Sequence, residues 1–267
     1  MKPACRFLPP SLLLSLACLL GAGAQAGVLD AATRDGSLRV GLDYVPPPYQ
    51  GGMKFRTPES VDTVLADDLA AQLKLKSDYL KNGSALQSFK NGQPALALTL
   101  ASAGEPGDAD TVAIPTGYSA GAMAIMRSDT TIRKWEDLKG RTVCVSAGSP
   151  YVGTLAARYG AIEKAMRAPA DSLLAVRTGQ CDAAVHDDAM MKELLKLPEW
   201  KKFSAQLAPT ARQVLVLKVR GAGAADLAYL KQAAARWNEV FWASVKKKWV
   251  DNVAFEVYLD QNVPDCH

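Results

Sequence analysis

The sequence predicts an α/β protein made of two strand–helix–strand units in series. Two observations carry this. A β-rich run, LRVGLDYV (38–45), and a second apolar run, PALALTL, enclose a segment with helical spacing, and the same alternation restarts at TIRKWEDLKGRTVCVSAGSP. Strands separated by helices and short connections form parallel α/β sheets.

Taken in order, LRVGLDYV stops at PPPY because proline cannot continue a central strand. ESVDTVLADDLAAQLKLK places Val61, Leu65, Leu69 and Leu73 on one helical face, with acids early and lysines late as the helix dipole prefers. SALQSFKNGQ reads as a second short helix ahead of PALALTL. In the second unit, WEDLKG leads into the strand RTVCVSA, then a helix in YVGTLAARYG and another that ends at GQCDAAVHDD. A helix through AMMKELLKL, the strand RQVLVLKV and one long helix from AADLAYL to VKKKW complete the chain. GAMAIMRSD lies between the two units, and no solenoid-period repeat is present.

Residues 1–26 have a basic start (Lys2, Arg6), an apolar stretch and a small-x-small ending at Ala24-Gln25-Ala26, which is a secretory signal peptide with cleavage expected before Gly27. Cys18 invites a lipoprotein reading, but Ser15 stands where a lipobox usually has Leu, so plain cleavage ranks well above lipidation. No later apolar run reaches membrane-spanning length. Removing Lys2 and Arg6 lowers the formal charge from +4 to +2, and there is no basic stripe of the kind nucleic acid needs. The remaining cysteines are Cys144, Cys181 and Cys266; an oxidising compartment favours a disulfide in one pair and leaves one thiol over.

The stretch GQCDAAVHDD (179–188) raises a question of its own, since a short apolar run ends in two adjacent aspartates. DAAV reads as a buried parallel strand, and ligands of open α/β sheets collect beyond the carboxyl ends of such strands. Asp187 at that end suits a substrate ammonium group, because a desolvated charge pair outweighs its surface equivalent. An Asp capping the helix that begins near Ala189 fits the spacing about equally well, and Asp188 suits the cap better.

The order LRVGLDYVPPPY, DDLAAQLKLK, ALQSFKNGQPALALTLAS, IPTGYSAGAMAIMRSD, WEDLKGRTVCVSAGS and GQCDAAVHDDAMM resembles the amino-acid-binding periplasmic proteins of ABC importers, solute-binding protein family 3, over nearly the whole exported chain. The resemblance implies the type 2 periplasmic-binding fold: two lobes, each a mostly parallel sheet flanked by helices, joined by crossing strands near Gly121 to Met126 and Arg212 to Leu217. Lobe 1 would hold residues 27–121 and 214–267, lobe 2 residues 122–213, with the C-terminal helix packed back on lobe 1. It also implies a ligand site in the cleft, with Asp187 as the ammonium anchor, Asp43 and Tyr49 lining the lobe 1 side, and Ser102 and Ser149 as polar positions. Ser149 would stand in a turn that opens a helix whose free N–H groups receive an anion. Some members pair cysteines placed like Cys144 and Cys181. The implied partner is an inner-membrane ABC permease, with the protein a periplasmic monomer that needs no cofactor or metal.

Two departures bear on the ligand. Members of the family usually carry an Arg for the substrate α-carboxylate, yet this chain has no Arg from Gly83 to Met126, and the aligned place falls on Asp108. The Thr usual after Ser149 is Pro150, which has no N–H to give. Without the Arg a buried carboxylate stays largely uncompensated. Asp43, Asp108 and Asp187 would together favour an amine, although a Gly/Pro/Asp-rich segment such as that around Asp108 is more often a solvated loop. Arg56 is a possible substitute cation but reads better as a surface residue. Trp237, Trp242 and Trp249 are expected to pack against lobe 1, and Tyr44, Tyr49, Tyr118 and Tyr151 fall at strand ends, where a ring can cover a ligand. His186 and His267 are the only histidines, no HExxH or CxxC motif occurs, and AGSPYVG is not a GxSxG elbow. A binding protein without covalent chemistry is therefore expected; a dehydratase-type enzyme on the same fold, or a sensing or assembly protein without a transporter, are the alternatives.

Overall fold

The computed structural model describes residues 27–80, 91, 96–101, 111–203 and 205–260. The expected leader, most of SALQSFKNGQ, and Ser102, Asp108 and Cys266 lie outside them. The chain runs through α1 (Val28–Asp35), β1 (Ser37–Leu42), α2 (Asp62–Gln72), β2 (Lys76–Leu80), β3 (Leu96–Ala101) and β4 (Thr111–Ala120). It continues with β5 (Ala122–Met126), β6 (Thr142–Ser146), α3 (Thr154–Tyr159), β7 (Ile162–Met166), α4 (Pro169–Arg177), β8 (Ala183–Asp187), α5 (Asp188–Leu194) and β9 (Ala205–Gln206). β10 (Gln213–Arg220), α6 (Ala224–Ala234) and α7 (Glu239–Leu259) follow.

The strands form two five-stranded sheets, ordered β2-β1-β3-β10-β4 and β7-β6-β8-β5-β9. Each is half parallel and half antiparallel: β1 pairs parallel with β2 and β3, and β6 with β7 and β8, while β10 and β5 run against their neighbours. The reversal follows from the connections, since the strands that cross between the sheets enter the second sheet from its own carboxyl end.

Local sequence explains most elements. β8 is buried at every residue, as expected for a strand covered on both faces. α2 buries Leu65, Ala66, Leu69 and Ala70 on one side and ends at Gln72, two residues before Lys74, whose φ of 58° cannot continue a helix. α4 opens on Pro169, whose missing N–H costs nothing in a first turn. β2 gives no apolar signal because its residues are half-buried or exposed at a sheet edge.

Two features depart from the sequence reading. The long C-terminal helix is broken, because the Asn238 side chain accepts from the Val240 and Phe241 N–H groups and starts α7 afresh. In addition, α7 does not pack on the first sheet's elements alone. Its tryptophans do reach them, Trp242 donating to Thr116 O (2.9 Å) and Trp249 to Pro58 O (3.1 Å), and Trp237 before it donates to Asp68 (2.7 Å). The same helix also packs against α4 and α5, which flank the second sheet. At 21 residues, about 31 Å long, it is able to bridge both. Cys144 in β6 is bonded to Cys181 just before β8, their Cα atoms 5.9 Å apart.

Only Gly121 separates β4 in one sheet from β5 in the other. A Cβ on Gly121 would lie 2.4 Å from Thr210 O, so the two crossing segments touch backbone to backbone here. Ala122 N donates to Thr210 Oγ1 (3.0 Å) and Thr210 N to Ala122 O (3.0 Å).

Candidate functional site

β8 delivers Asp187 to its carboxyl end, where the two sheets face each other. The carboxylate accepts one hydrogen bond from the Tyr118 hydroxyl (2.6 Å), carried by β4 of the first sheet, and one from the Tyr151 hydroxyl (2.6 Å), which follows β6 of the second. Burial raises the Asp187 pKa and the nearby charge of Glu59 adds to the rise; the two hydroxyls oppose it. Both tyrosines are pushed well above their ordinary value, by burial first and by the Asp187 charge second, so they remain donors. A carboxylate has about four lone-pair positions, so two tyrosines leave Asp187 able to receive a further cation.

Behind Asp187 lies a buried polar network. Glu59, from the segment between β1 and α2, accepts from the Asp187 N–H (3.3 Å) and the Ser146 hydroxyl and meets His186 Nδ1 at 2.9 Å. Ser172 gives its proton to Pro169 O (2.9 Å) and lies 2.6 Å from His186 Nε2, so the imidazole donates there. Ser172, His186 and Glu59 are buried, and the cavity beside Asp187 touches only Glu59 among them, so this resembles a hydrolase triad in connectivity and not in access.

That cavity, about 170 Å³, is lined by Asp43, Glu59, Asp62 and Asp187 together with Tyr44, Ser60, Thr99, Tyr118, Ser149 and Pro150. No Lys, Arg or His lines it among the described residues. Burial pushes Asp62 up from 3.8 to about 6, against the hydrogen bonds it receives from Ser60 and the Thr63 N–H. The electrostatics therefore favour a cation.

Of the residues expected at the site, Asp43 lines this cavity and accepts from Thr99 Oγ1 (3.2 Å). Ser149 also lines it, buried, its oxygen accepting from the Tyr151 N–H (3.2 Å). Tyr49 is 64% exposed and lines a neighbouring cavity instead. Ser102 lies outside the described residues. The helix after Ser149 starts only at Thr154, and Glu163 already takes the Gly153 and Ala156 N–H groups (2.6 and 2.8 Å), so that terminus offers no anion site. Asp188 does not cap through its side chain; it accepts from the Gly121 N–H (3.0 Å), Arg212 (2.6 Å) and Lys192 (2.7 Å) at the crossing between the sheets. Arg56 is not a surface residue, and it lines the neighbouring cavity rather than the acidic one, its side chain largely buried between Asp171 (2.7 Å) and Asp260. Glu59 and Asp62 escaped the sequence reading: an acid in TPES or at the start of a helix looks solvated until the fold covers it.

No protein-family model matches the chain, and no curated protein does. Solved structures do. An arginine-bound ArgBP from T. maritima superposes with a TM-score of 0.52 at 18% identity, covering 79% of this chain and all of the other (100%). An ancestral amino acid-binding protein, described as a precursor of cyclohexadienyl dehydratase, superposes with a TM-score of 0.54 at 19% identity, covering 83% of this chain and 99% of that one. These likenesses establish the fold, the two-lobed α/β architecture of periplasmic-binding proteins.

Proposed function

We propose that the chain is an exported solute-binding protein that captures a small organic cation between two lobes and offers the closed complex to an ABC permease. Lobe 1 is read as residues 27–121 and 214–267 and lobe 2 as residues 122–213, with the crossing segments at Gly121 and before Gln213 as the hinge. The observation that carries the reading is the acidic cavity between the sheets. Asp187, Asp43, Asp62 and Glu59 line a space with no basic residue on its described walls.

Tyr118 and Tyr151 hold the Asp187 carboxylate from opposite sheets, so a ligand ammonium meets an oriented acceptor and draws the lobes together through it. Closure is driven by contacts that exist only in the closed form. An α-amino acid would bring a carboxylate next to three or four acids, which explains why the loss of the family's Arg accompanies this cavity. Export through residues 1–26 would place the protein in the periplasm, where the Cys144–Cys181 bond is stable.

Calorimetric titration of the exported protein with an amine, the matching amino acid and the matching carboxylate tests this. The amine is expected to bind and the other two to bind more weakly or not at all. Tighter binding of the amino acid would sink the cation reading, and turnover of a bound compound would move the chain to the dehydratase alternative.

A further inference from the structure

A second cavity, about 200 Å³, adjoins the acidic one, and Tyr44 lines both. The Tyr44 ring is held as a partition: a Cβ on Gly148, in the turn of the second sheet, would lie 2.7 Å from its Cδ1, so only glycine lets the ring reach that turn. The wall of the second cavity is unusual for a polar cleft. Three consecutive prolines, Pro46, Pro47 and Pro48, stand beside Tyr49 and Phe55, each 64% exposed. Exposed aromatics around a concavity mark binding surfaces, and proline with aromatic side chains offers contact area at little cost in conformational entropy.

Charge narrows what the cavity takes. Lys54, Arg56 and Arg167 also line it, but each is already engaged. Lys54 and Arg56 pair with Asp260, Arg56 also with Asp171, and Arg167 donates to Lys54 O (2.6 Å). No uncommitted cation is left to select an anion. An apolar ring fits both the walls and the size, since a cavity of about 150 Å³ is enough for benzene.

We propose that this second cavity is a compartment of the same binding site and that the solute is an arylalkylamine, its ammonium at Asp187 and its ring past Tyr44 against Tyr49, Phe55 and the proline wall. The proposal rests on the cation reading and extends it from a charge to a substrate class. Tyr49, placed by the sequence resemblance on the cleft wall, then acts on the ring end of the ligand.

The test titrates the exported protein with phenylalkylamines carrying one to four methylenes and with the n-alkylamines of the same lengths. One phenylalkylamine is expected to bind at least about 10-fold more tightly than its alkyl counterpart, as ring burial against aromatics should give. In the double variant Tyr49→Ala/Phe55→Ala that advantage should fall below about 3-fold while the melting temperature holds, because both rings are exposed in the free protein. An advantage that survives the double variant, or none at any linker length, overturns the aryl compartment and leaves the cation site standing. If neither series binds, both readings fall together.

Discussion

Asp187 and Asp188 are neighbours in sequence and opposites in the fold. Asp187 turns into the cavity, where burial and Glu59 raise its pKa and its hydrogen bonds come from two tyrosines. Asp188 turns into the crossing between the sheets. Burial works against its ionisation too, but Lys192, the Gly121 N–H and Arg212 outweigh it and hold its pKa below 3.8. One carboxylate is left short of positive charge and the other is saturated with it. The comparison teaches that of two adjacent carboxylates the one facing the cavity is left without the basic partners that the one at the crossing receives.

The sharpest way to break this pairing is Asp187→Asn. Removing one partner of a buried charge pair costs about 2–5 kcal/mol, so amine affinity in calorimetry should fall at least about 30-fold. The melting temperature should hold or rise, since a costly buried charge is gone. Asp188→Ala should do the reverse. It strands the Gly121 N–H and one face of Arg212, lowering stability by about 1–3 kcal/mol in urea denaturation and sparing the cation site. Gly121→Ala acts on the same hinge by sterics alone: a Cβ 2.4 Å from Thr210 O forces the crossing segments apart, at about 1–3 kcal/mol. Asn238→Ala, remote from both aspartates, should cost about 1 kcal/mol through the lost α7 cap and leave binding unchanged.

The pH dependence sharpens the contrast. Asp62, raised from 3.8 to about 6, and Asp187, raised likewise, bind their protons more tightly in the fold, so their contribution to stability is greatest at low pH and is lost as pH rises from about 4 through about 6. Asp188 has the opposite sign: its contribution is present above about 4 and is lost as pH falls through its lowered value. Amine affinity should increase with pH over the range in which Asp187 ionises. Melting curves and titrations from pH 4 to 7 on the wild type and Asp187→Asn separate the three, and an affinity independent of pH would remove Asp187 from the anchor role.

Much of the fold is legible in residue order. Val40, Leu65, Leu69, Leu98 and the run Ala183–Val185 mark strands and helices by apolar period alone, because burial repeats with the geometry of the element. Elements without such a period escape. β2 is a polar edge, and the break at Asn238 interrupts an apolar pattern that otherwise continues through Trp242 and Trp249. The site is less legible. Asp187 could be picked out because it ends a buried strand, and Asp43 by family likeness, but the Glu59–Asp62 segment and Tyr118 line one cavity with Asp187, and Tyr151 reaches the Asp187 carboxylate, only when the sheets face each other.

The sequence by itself determined the α/β alternation, the position of Asp187 at the end of a buried strand and the absence of any Arg from Gly83 to Met126, since each rests on local period or on residue identity. Only the tertiary structure decided which of two adjacent aspartates faces the cavity, that α7 bridges both sheets, that Arg56 is consumed by Asp171 and Asp260, and that a proline–aromatic cavity adjoins the acidic one. The reason is that partner choice depends on which distant surfaces meet, and local spacing along the chain carries no record of that.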